Sequence, residues 1–536
     1  MNLNFSIPTK KLGDWLDTIY RETRWQIVIA VIAAVLSWSA IAWSLMNDYI
    51  VAYGDAESHL NIAKRVISGL TPGFAQLGGI WLPLPHIMML PFIWSDTLWR
   101  TGLAGSIVSS VSFVVSAIFI FKTTGLLTRN RWAGLAASIV FMTTPNILYM
   151  QTTPMTELPL IMFFTLSIYF FLRFIRNDNY IFSLVAAAFF GFCATLTRYD
   201  GWFLVLFQVL TVFGMYIRSV FTEKVSAWKK LEGKVLLYAT PAFFGILLWF
   251  IWDYLILGDA LYFTNSEFSA KAQQAAWLTR GELPAFHHLG LAVAYYLVTA
   301  MSNIGIIAFL VATVGFISYL LHSQSKHRFL TAFVLLTPFI FYIVTLFVGQ
   351  SVIFIPHLTP VGFEWRLFNV RYGLMAVPFA AIFCGWIWDR SKLGGRGLLV
   401  GIFILQLLLY FVGYSKVVTW EDGVHGLSHA KRPIAERWMH DHYDYGLVLM
   451  DDYARTVSLI RTGVPMQNSI YVGNKPYWAE SLVAPERYAR WIVMQKNDTV
   501  WKAIYEDPKV RGRLFKYFQK VYTSPEILIF RRISKS

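Results

Sequence analysis

Long apolar runs separated by short polar turns fill the first three quarters of the chain. Runs long enough for a helix to cross a bilayer fall at 25–46, 102–121, 132–149, 157–172, 180–197, 202–217, 235–256, 303–321, 329–348, 371–388 and 397–414. These are eleven expected spans. The stretch 284–302 is apolar too, but Pro284, His287 and His288 interrupt it. Its pattern fits either a helix on the lipid surface or a twelfth span. In the first long loop, Trp81-Leu-Pro-Leu-Pro-His86 should break the chain just before a short apolar helix, 86–94, of the length that lies in the membrane interface.

The pattern changes after Ser415. Charged residues become frequent, and Pro433, Pro465, Pro476, Pro485 and Pro508 punctuate the segment. Gly446–Met450, Arg490–Met494 and Glu526–Phe530 are short apolar runs of strand type, while Ala430–His442 and Asp498–Tyr505 read as helices. The expected organisation is a membrane unit over 1–415 and a small α/β domain over 416–536. No internal repeat or low-complexity segment is visible.

Composition agrees with a polytopic membrane protein that is mostly α-helical. Of 536 residues, 56% are hydrophobic, 17% aromatic and only 14% charged, against roughly a quarter charged in soluble domains. Cys193 and Cys384 both lie in apolar runs, so no disulfide framework is implied. The first 24 residues are polar and amphipathic, and no small-residue cleavage site follows the first apolar run. That run is expected to be an uncleaved span.

Lysine and arginine in the short loops set the orientation. With eleven spans and the N-terminus inside, the inner segments hold Lys10, Lys11, Arg21, Arg24, Lys122, Arg129, Arg131, Arg173, Arg176, Arg218, Lys224, Lys229, Lys230, Lys234, Lys326, Arg328, Arg390, Lys392 and Arg396. The outer loops hold Lys64, Arg65, Arg100, Arg198, Lys271, Arg280, Arg366 and Arg371, so the split is 19 against 8. The expected protein is multi-pass, in a plasma or inner membrane, with a cytoplasmic N-terminus and an extracytoplasmic C-terminal domain. The net charge of +15 then calls for no nucleic acid; inner loops and contact with anionic lipid account for it.

On this topology the mixed polar residues gather at outer span ends. Asp55-Ala-Glu57-Ser-His59 follows the first span, and charge beside lipid is costly unless something uses it. His86 lies in the same outer loop. Glu157 opens the fourth span, Arg198, Tyr199 and Asp200 sit in the turn before the sixth, Glu267 follows the seventh, and Arg371-Tyr372 opens the tenth. Each has a plainer reading. Asp55 can be a solvated loop acid and Glu157 a span terminator; Arg198 and Arg371 can snorkel to headgroups. Asp200 can simply pair with Arg198, Gly201 can serve a tight turn, and His59 and His86 can be structural.

The long first outer loop with its acidic motif, the proline-rich turn into an interfacial helix, the acid opening span 4, the Arg turn after span 5, the Arg-Tyr pair opening a late span and the extracytoplasmic tail resemble the GT-C glycosyltransferase superfamily. The likeness covers about 1–415 and is strongest to the protein O-mannosyltransferases, the lipid A aminoarabinose transferases and the RgtA-like bacterial transferases. The chain departs from the mannosyltransferases in having Asp55-Ala-Glu57 where they carry adjacent Asp-Glu. The Trp-Trp-Asp-Tyr-Gly signature of oligosaccharyltransferases is absent; Trp252-Asp-Tyr254 is a partial likeness inside a span.

The resemblance implies transfer of a sugar from a polyprenyl-phosphate carrier (dolichyl or undecaprenyl type) to a hydroxyl of a protein, glycan or glycolipid. The acceptor hydroxyl needs a carboxylate to take its proton, and Asp55 is the candidate base. The prenyl phosphate is already a good leaving group and needs cationic donors; Arg198 and Arg371 are the candidates. One such carboxylate and no second nucleophile imply a single displacement with inversion. Glu57 and Glu157 are the further catalytic candidates, and His59, His86, Tyr199, Asp200, Glu267 and Tyr372 the substrate-binding ones. Asp55, Glu57, His59 and Glu157 also suit a divalent cation such as Mn, Mg or Zn, but Asp-x-Glu-x-His is not a recognised ligand spacing and no cofactor follows. Rival readings are an oligosaccharyltransferase acting en bloc, a lipid-linked sugar transporter or flippase, and a non-catalytic scaffold. Transporters place charge near the midplane in paired repeats. Here the charges lie at span ends and no repeat is visible; Asp253 is the one acidic residue placed inside a span.

Overall fold

The computed structural model describes residues 9–223, 225–267, 269–429, 431–452 and 456–533. Lys224 and Ala430 lie outside the described residues, as do the side chains of Lys10, Lys11, Arg21 and Arg218. Among the described residues, seven helices are long and apolar enough to cross a membrane, or nine if each of two bent pairs counts as one span. The protein is a multi-pass membrane protein of mostly α structure. Nine of the eleven expected runs coincide with these elements. The other two form shorter helices. Pro145 starts a new helix, Pro145–Met150, and so ends Arg131–Thr143 early. Ile181–Thr195 has 15 residues, about 22 Å at 1.5 Å per residue, short of the ~30 Å apolar slab.

The ambiguous stretch 284–302 belongs to a bent pair, Leu289–Ile304 and Ile306–His322, which turn by 113°. Gly305 makes the bend at φ +89°, and a Cβ there would strike the Gln406 side chain at 2.5 Å. Gln406 also caps the broken backbone. Its Nε2 donates to the Ile304 carbonyl at 3.2 Å, and its Oε1 accepts from the Ala308 amide at 2.8 Å. A polar residue inside a span thereby satisfies groups that lipid would leave unpaired.

The first long loop folds into helix Gly54–Ser68 and the short apolar helix Leu84–Ile93. The tail carries a five-stranded sheet of β1 (Leu447–Leu449), β2 (Ser469–Ile470), β3 (Ala489–Gln495), β4 (Phe518–Thr523) and β5 (Ile527–Arg532), in the order β2-β1-β3-β5-β4. β1 pairs in parallel with β2 and β3, and β5 pairs antiparallel with β3 and β4. Its two faces are buried differently. Val448, Met450, Trp491 and Ile529 pack with Leu60, Ala63, Met89 and Trp99 of the first long loop, whereas Leu449, Ile492, Met494 and Phe530 pack under Leu514 and Phe518 of the tail itself. Arg100 strengthens the first contact by donating to the Ile460 carbonyl at 3.0 Å and the Val464 carbonyl at 3.3 Å. Arg65 pairs with Asp452 and stacks 3.6 Å from the Tyr471 ring centre. The tail is thus seated on the helix that carries Asp55.

Candidate active site

A cavity of about 460 Å³ opens where several span ends meet the first long loop. Asp55 and His59 reach it from helix Gly54–Ser68, Arg198 and Tyr199 from the turn before helix Asp200–Glu223, Asp200 from that helix's start, and Arg371 and Tyr372 from a 3-10 turn, Val370–Ala376. These residues are far apart in sequence: Arg198, Asp200 and Arg371 stand at the ends of apolar elements, and Asp55 and His59 on the first two turns of a polar helix.

Arg371 is the hub. It is 5% exposed and donates from Nη2 to Asp55 Oδ2 at 2.8 Å, from Nε to Glu157 Oε1 at 3.1 Å and from Nη1 to Ser428 Oγ at 3.2 Å. Arg198 donates from Nη1 to the same Glu157 oxygen at 3.0 Å and to Thr156 Oγ1 at 3.0 Å, and from Nε to Asp200 Oδ2 at 3.4 Å. Glu157 is fully buried at the start of helix Glu157–Arg176 and lies behind the cavity wall, bridging the two guanidinium groups. A buried carboxylate is tolerable when charge-assisted donors surround it. Tyr342 donates to Asp200, and Tyr372 lies 5.3 Å from the Arg198 guanidinium and 5.5 Å from that of Arg371.

The N-terminus of the Asp55 helix is pinned from the far end of the chain. The Gly54 amide donates to the Ser428 carbonyl at 2.7 Å, and Tyr53 forms an isolated bridge with His429. Helix Val418–His425 also brings Asp422, buried, to 3.9 Å from Arg371 Nη1. Burial pushes the Asp422 carboxyl up to about 7. This helix is locked down by Asn146, whose Oδ1 accepts from the Thr419 amide at 3.0 Å. Residues 418–429 therefore pack with the membrane unit, and the sheet-bearing part follows at Pro433.

His59 lines the cavity and stands 2.9 Å from His86, ring nitrogen to ring nitrogen. Burial pushes His59 down to about 4 and lowers His86 as well. Both rings are neutral at pH 7, and His86 lies behind His59 rather than on the cavity. Tyr199 donates to the Ile80 carbonyl at 2.7 Å and stacks on Phe263 at 5.3 Å. Two expected site residues stand elsewhere. Glu57 faces Ser458, Asp452, Glu436 and Arg461 of the tail, and Glu267 is exposed and outside the cavity lining. Gly201 serves a close approach rather than a turn: a Cβ there would meet the Ala194 carbonyl at 2.3 Å. Among the described residues no group of three or more His, Cys, Asp or Glu is arranged to hold a metal, so Asp55, Glu57, His59 and Glu157 do not form a ligand set.

Several residues of the site, on the cavity wall or behind Arg371, escaped the sequence reading. Asp422 and Ser428 lie beyond the last apolar run, where nothing signals a return to the membrane. Lys271, Gln274 and Trp277 come from helix Ala270–Thr279, a polar loop helix with no motif. Asn369 was within reach, two residues before Arg371. Of the Lys and Arg side chains on the cavity, among the described residues, only Lys271 forms no ion pair.

Residues 98–253 match the family described as dolichyl-phosphate-mannose-protein mannosyltransferase. The chain superposes on ArnT from Cupriavidus metallidurans bound to undecaprenyl phosphate with a TM-score of 0.56 at 12% identity, over 96% of this chain and 99% of that one. The chain has the GT-C glycosyltransferase fold. ArnT in the apo state gives 0.54 at 13% identity, over 95% and 98% of the two chains. The oligosaccharyltransferase of Archaeoglobus fulgidus in the apo form gives 0.51 at 12% identity, over 95% of this chain and 75% of that one. No curated protein matches the sequence. The superpositions and the matched segment agree on the GT-C fold.

Proposed function

We propose that this GT-C chain moves a sugar from a polyprenyl-phosphate carrier to a hydroxyl acceptor at the cavity between the span ends, on the extracytoplasmic face. The observation that carries the reading is the pairing of Asp55 with Arg371 on the cavity wall. It supplies a carboxylate held in one orientation beside fixed positive charge, with the rest of the cavity free for two substrates. The likeness to ArnT bound to undecaprenyl phosphate supports the lipid carrier.

In this mechanism the acceptor hydroxyl attacks the anomeric carbon while Asp55 takes its proton. The bond to the carrier oxygen breaks, and its electrons go to the prenyl phosphate. Inversion follows because the attack is a single displacement. Arg371 has all three guanidinium nitrogens committed, to Asp55, Glu157 and Ser428, so it acts as the organiser of Asp55. Arg198 spends Nε and Nη1 on carboxylates and a hydroxyl, and its side chain is 17% exposed on the cavity. Its Nη2 edge, with the Lys271 ammonium, receives the phosphate. Glu157 holds the two arginines at a fixed spacing rather than touching substrate.

The test is a transfer assay with purified protein and a polyprenyl-phosphate sugar, read as released prenyl phosphate and glycosylated acceptor. Turnover that depends on Asp55 supports the reading. A protein that binds the donor and neither transfers nor hydrolyses it would overturn it in favour of a transporter or scaffold.

A further inference from the structure

Two buried carboxamides on the cavity wall have no part in the proton transfer or in phosphate binding. Gln274, on helix Ala270–Thr279, is 6% exposed, and its Oε1 has no hydrogen-bond partner. Asn369 is also 6% exposed. Its Nδ2 donates to the Val352 carbonyl at 3.1 Å, while its Oδ1 has no partner. Both line the cavity. A buried amide oxygen left unpaired costs stability, and such a group in a folded protein asks for an explanation. The cost is recovered when a ligand hydroxyl donates to it.

The same wall carries aromatic surface. Trp277 and Phe368 both line the cavity, with ring centres 5.6 Å apart, and Trp277 is braced edge-on by Phe354 at 5.5 Å. The acidic side chains that line the cavity, Asp55 and Asp200, lie on other elements. Neutral hydrogen-bonding groups beside an aromatic face suit a ring with hydroxyls on its edge and C–H bonds on its flat side. A cationic sugar substituent would find no counter-charge on this wall, and Lys271, the cation on the same helix, is assigned above to the carrier phosphate, so a uronate would have to compete with the carrier for it.

We propose that Gln274 and Asn369 read the hydroxyls of a neutral sugar ring seated against Trp277, which makes this wall the subsite that selects the transferred sugar. The assignment rests on the glycosyl-transfer reading above. It predicts strict hydroxyl recognition, because a site built to bond a hydroxyl rejects the analogue that lacks it far more strongly than an apolar pocket rejects a missing methylene.

The experiment uses the full chain in lipid nanodiscs and ligand-observed NMR. The probes are methyl glycosides of neutral hexoses and pentoses, a methyl uronoside, a methyl glycoside of an amino sugar, a serine-containing hexapeptide, and undecaprenyl phosphate as the sugar-free control. At least one neutral glycoside should bind, at least tenfold more tightly than either charged glycoside. Gln274→Leu should weaken that binding at least tenfold and change undecaprenyl phosphate affinity less than twofold. If Gln274→Leu does not fold, Asn369→Gly gives the same comparison, since glycine suits the backbone φ of +55° there. Absence of neutral glycoside binding, preference for a charged sugar, insensitivity to these variants, or hexapeptide binding through the same two amides would each overturn the assignment. If undecaprenyl phosphate binds and no glycoside does, the subsite falls and the transfer reading stands. If a glycoside binds through Gln274 and no lipid phosphate binds, the sugar-binding wall stands, but its role in selecting a transferred sugar falls with the transfer reading.

Discussion

Arg371 donates to Asp55 across 2.8 Å although the two are 316 residues apart in sequence. One comes from the first long loop and the other from the start of a late span, so the pair forms only when the membrane bundle has closed. It gives Asp55 a fixed orientation toward the cavity, which is what a general base needs more than raw basicity.

Asp55→Asn keeps the size of the side chain and one acceptor for Arg371, but removes its ability to take a proton. Turnover should fall by about two to four orders of magnitude, the usual worth of a general base. Donor affinity and melting temperature should stay close to those of the parent. Single-turnover transfer beside a donor-binding titration measures both, and near-normal turnover would remove Asp55 from the chemistry.

Glu157 is the shared acceptor of two arginines and is itself fully buried. Glu157→Ala leaves both guanidinium groups short of a counter-charge. Breaking a buried pair from one side costs about 3–5 kcal/mol, so thermal unfolding in detergent should move sharply down. Glu157→Gln keeps one acceptor oxygen and should lose less. Equal melting temperatures for both variants and the parent would contradict the bridging role.

Arg198 and Lys271 should respond differently to conservative change. Arg198→Lys keeps the charge but loses the fork that grips Glu157, Thr156 and Asp200 together. Both donor affinity and stability should suffer. Lys271 is exposed and has no ion pair to lose, so Lys271→Ala should weaken binding of undecaprenyl phosphate with no change in melting temperature, and added salt should narrow the difference. Unchanged affinity in Lys271→Ala would assign the phosphate to Arg198 alone.

Much of this was legible in the sequence, and the reasons are specific. Apolar runs announce spans because lipid forces every backbone group into a helix, and charges at span ends stand out against that background. Asp55, Arg198 and Arg371 were visible for that reason. Asp422 and Ser428 were not, since their segment follows the last span and its return to Arg371 is a tertiary event. Glu57 misled because sequence adjacency does not give helix phase: two residues from Asp55, it turns toward the tail. The edge strand β4 was missed because FQKVYT is half polar and solvated on one face, and β2 has only two residues.

The lysine and arginine bias of 19 to 8 predicts that the tail is outside. A reporter fused after Ser415 should be extracytoplasmic and one inserted near Lys230 cytoplasmic. A cytoplasmic tail would place the Asp55–Arg371 cavity on the wrong side for a flipped lipid-linked sugar.

Glu57 offers a test of how the tail holds the Asp55 helix. Burial pushes its carboxyl up to about 7, with Ser458 and Arg461 opposing the shift and Asp452 and Glu436 adding to it. Glu436 is itself raised by burial. A carboxyl whose folded value lies above its unfolded one of 4.5 binds more protons in the folded state between those limits. Stability therefore falls as pH rises from about 4.5 to 7 and levels off above that window. The loss should appear at the seam between helix Gly54–Ser68 and the tail, where Arg65 and Asp452 also meet. Glu57→Gln cannot ionise, so its melting temperature should decline less than that of the parent across this window. Parallel pH profiles for parent and variant would show that Glu57 is solvated and that the seam is held by Arg65, Arg100 and the apolar contacts alone.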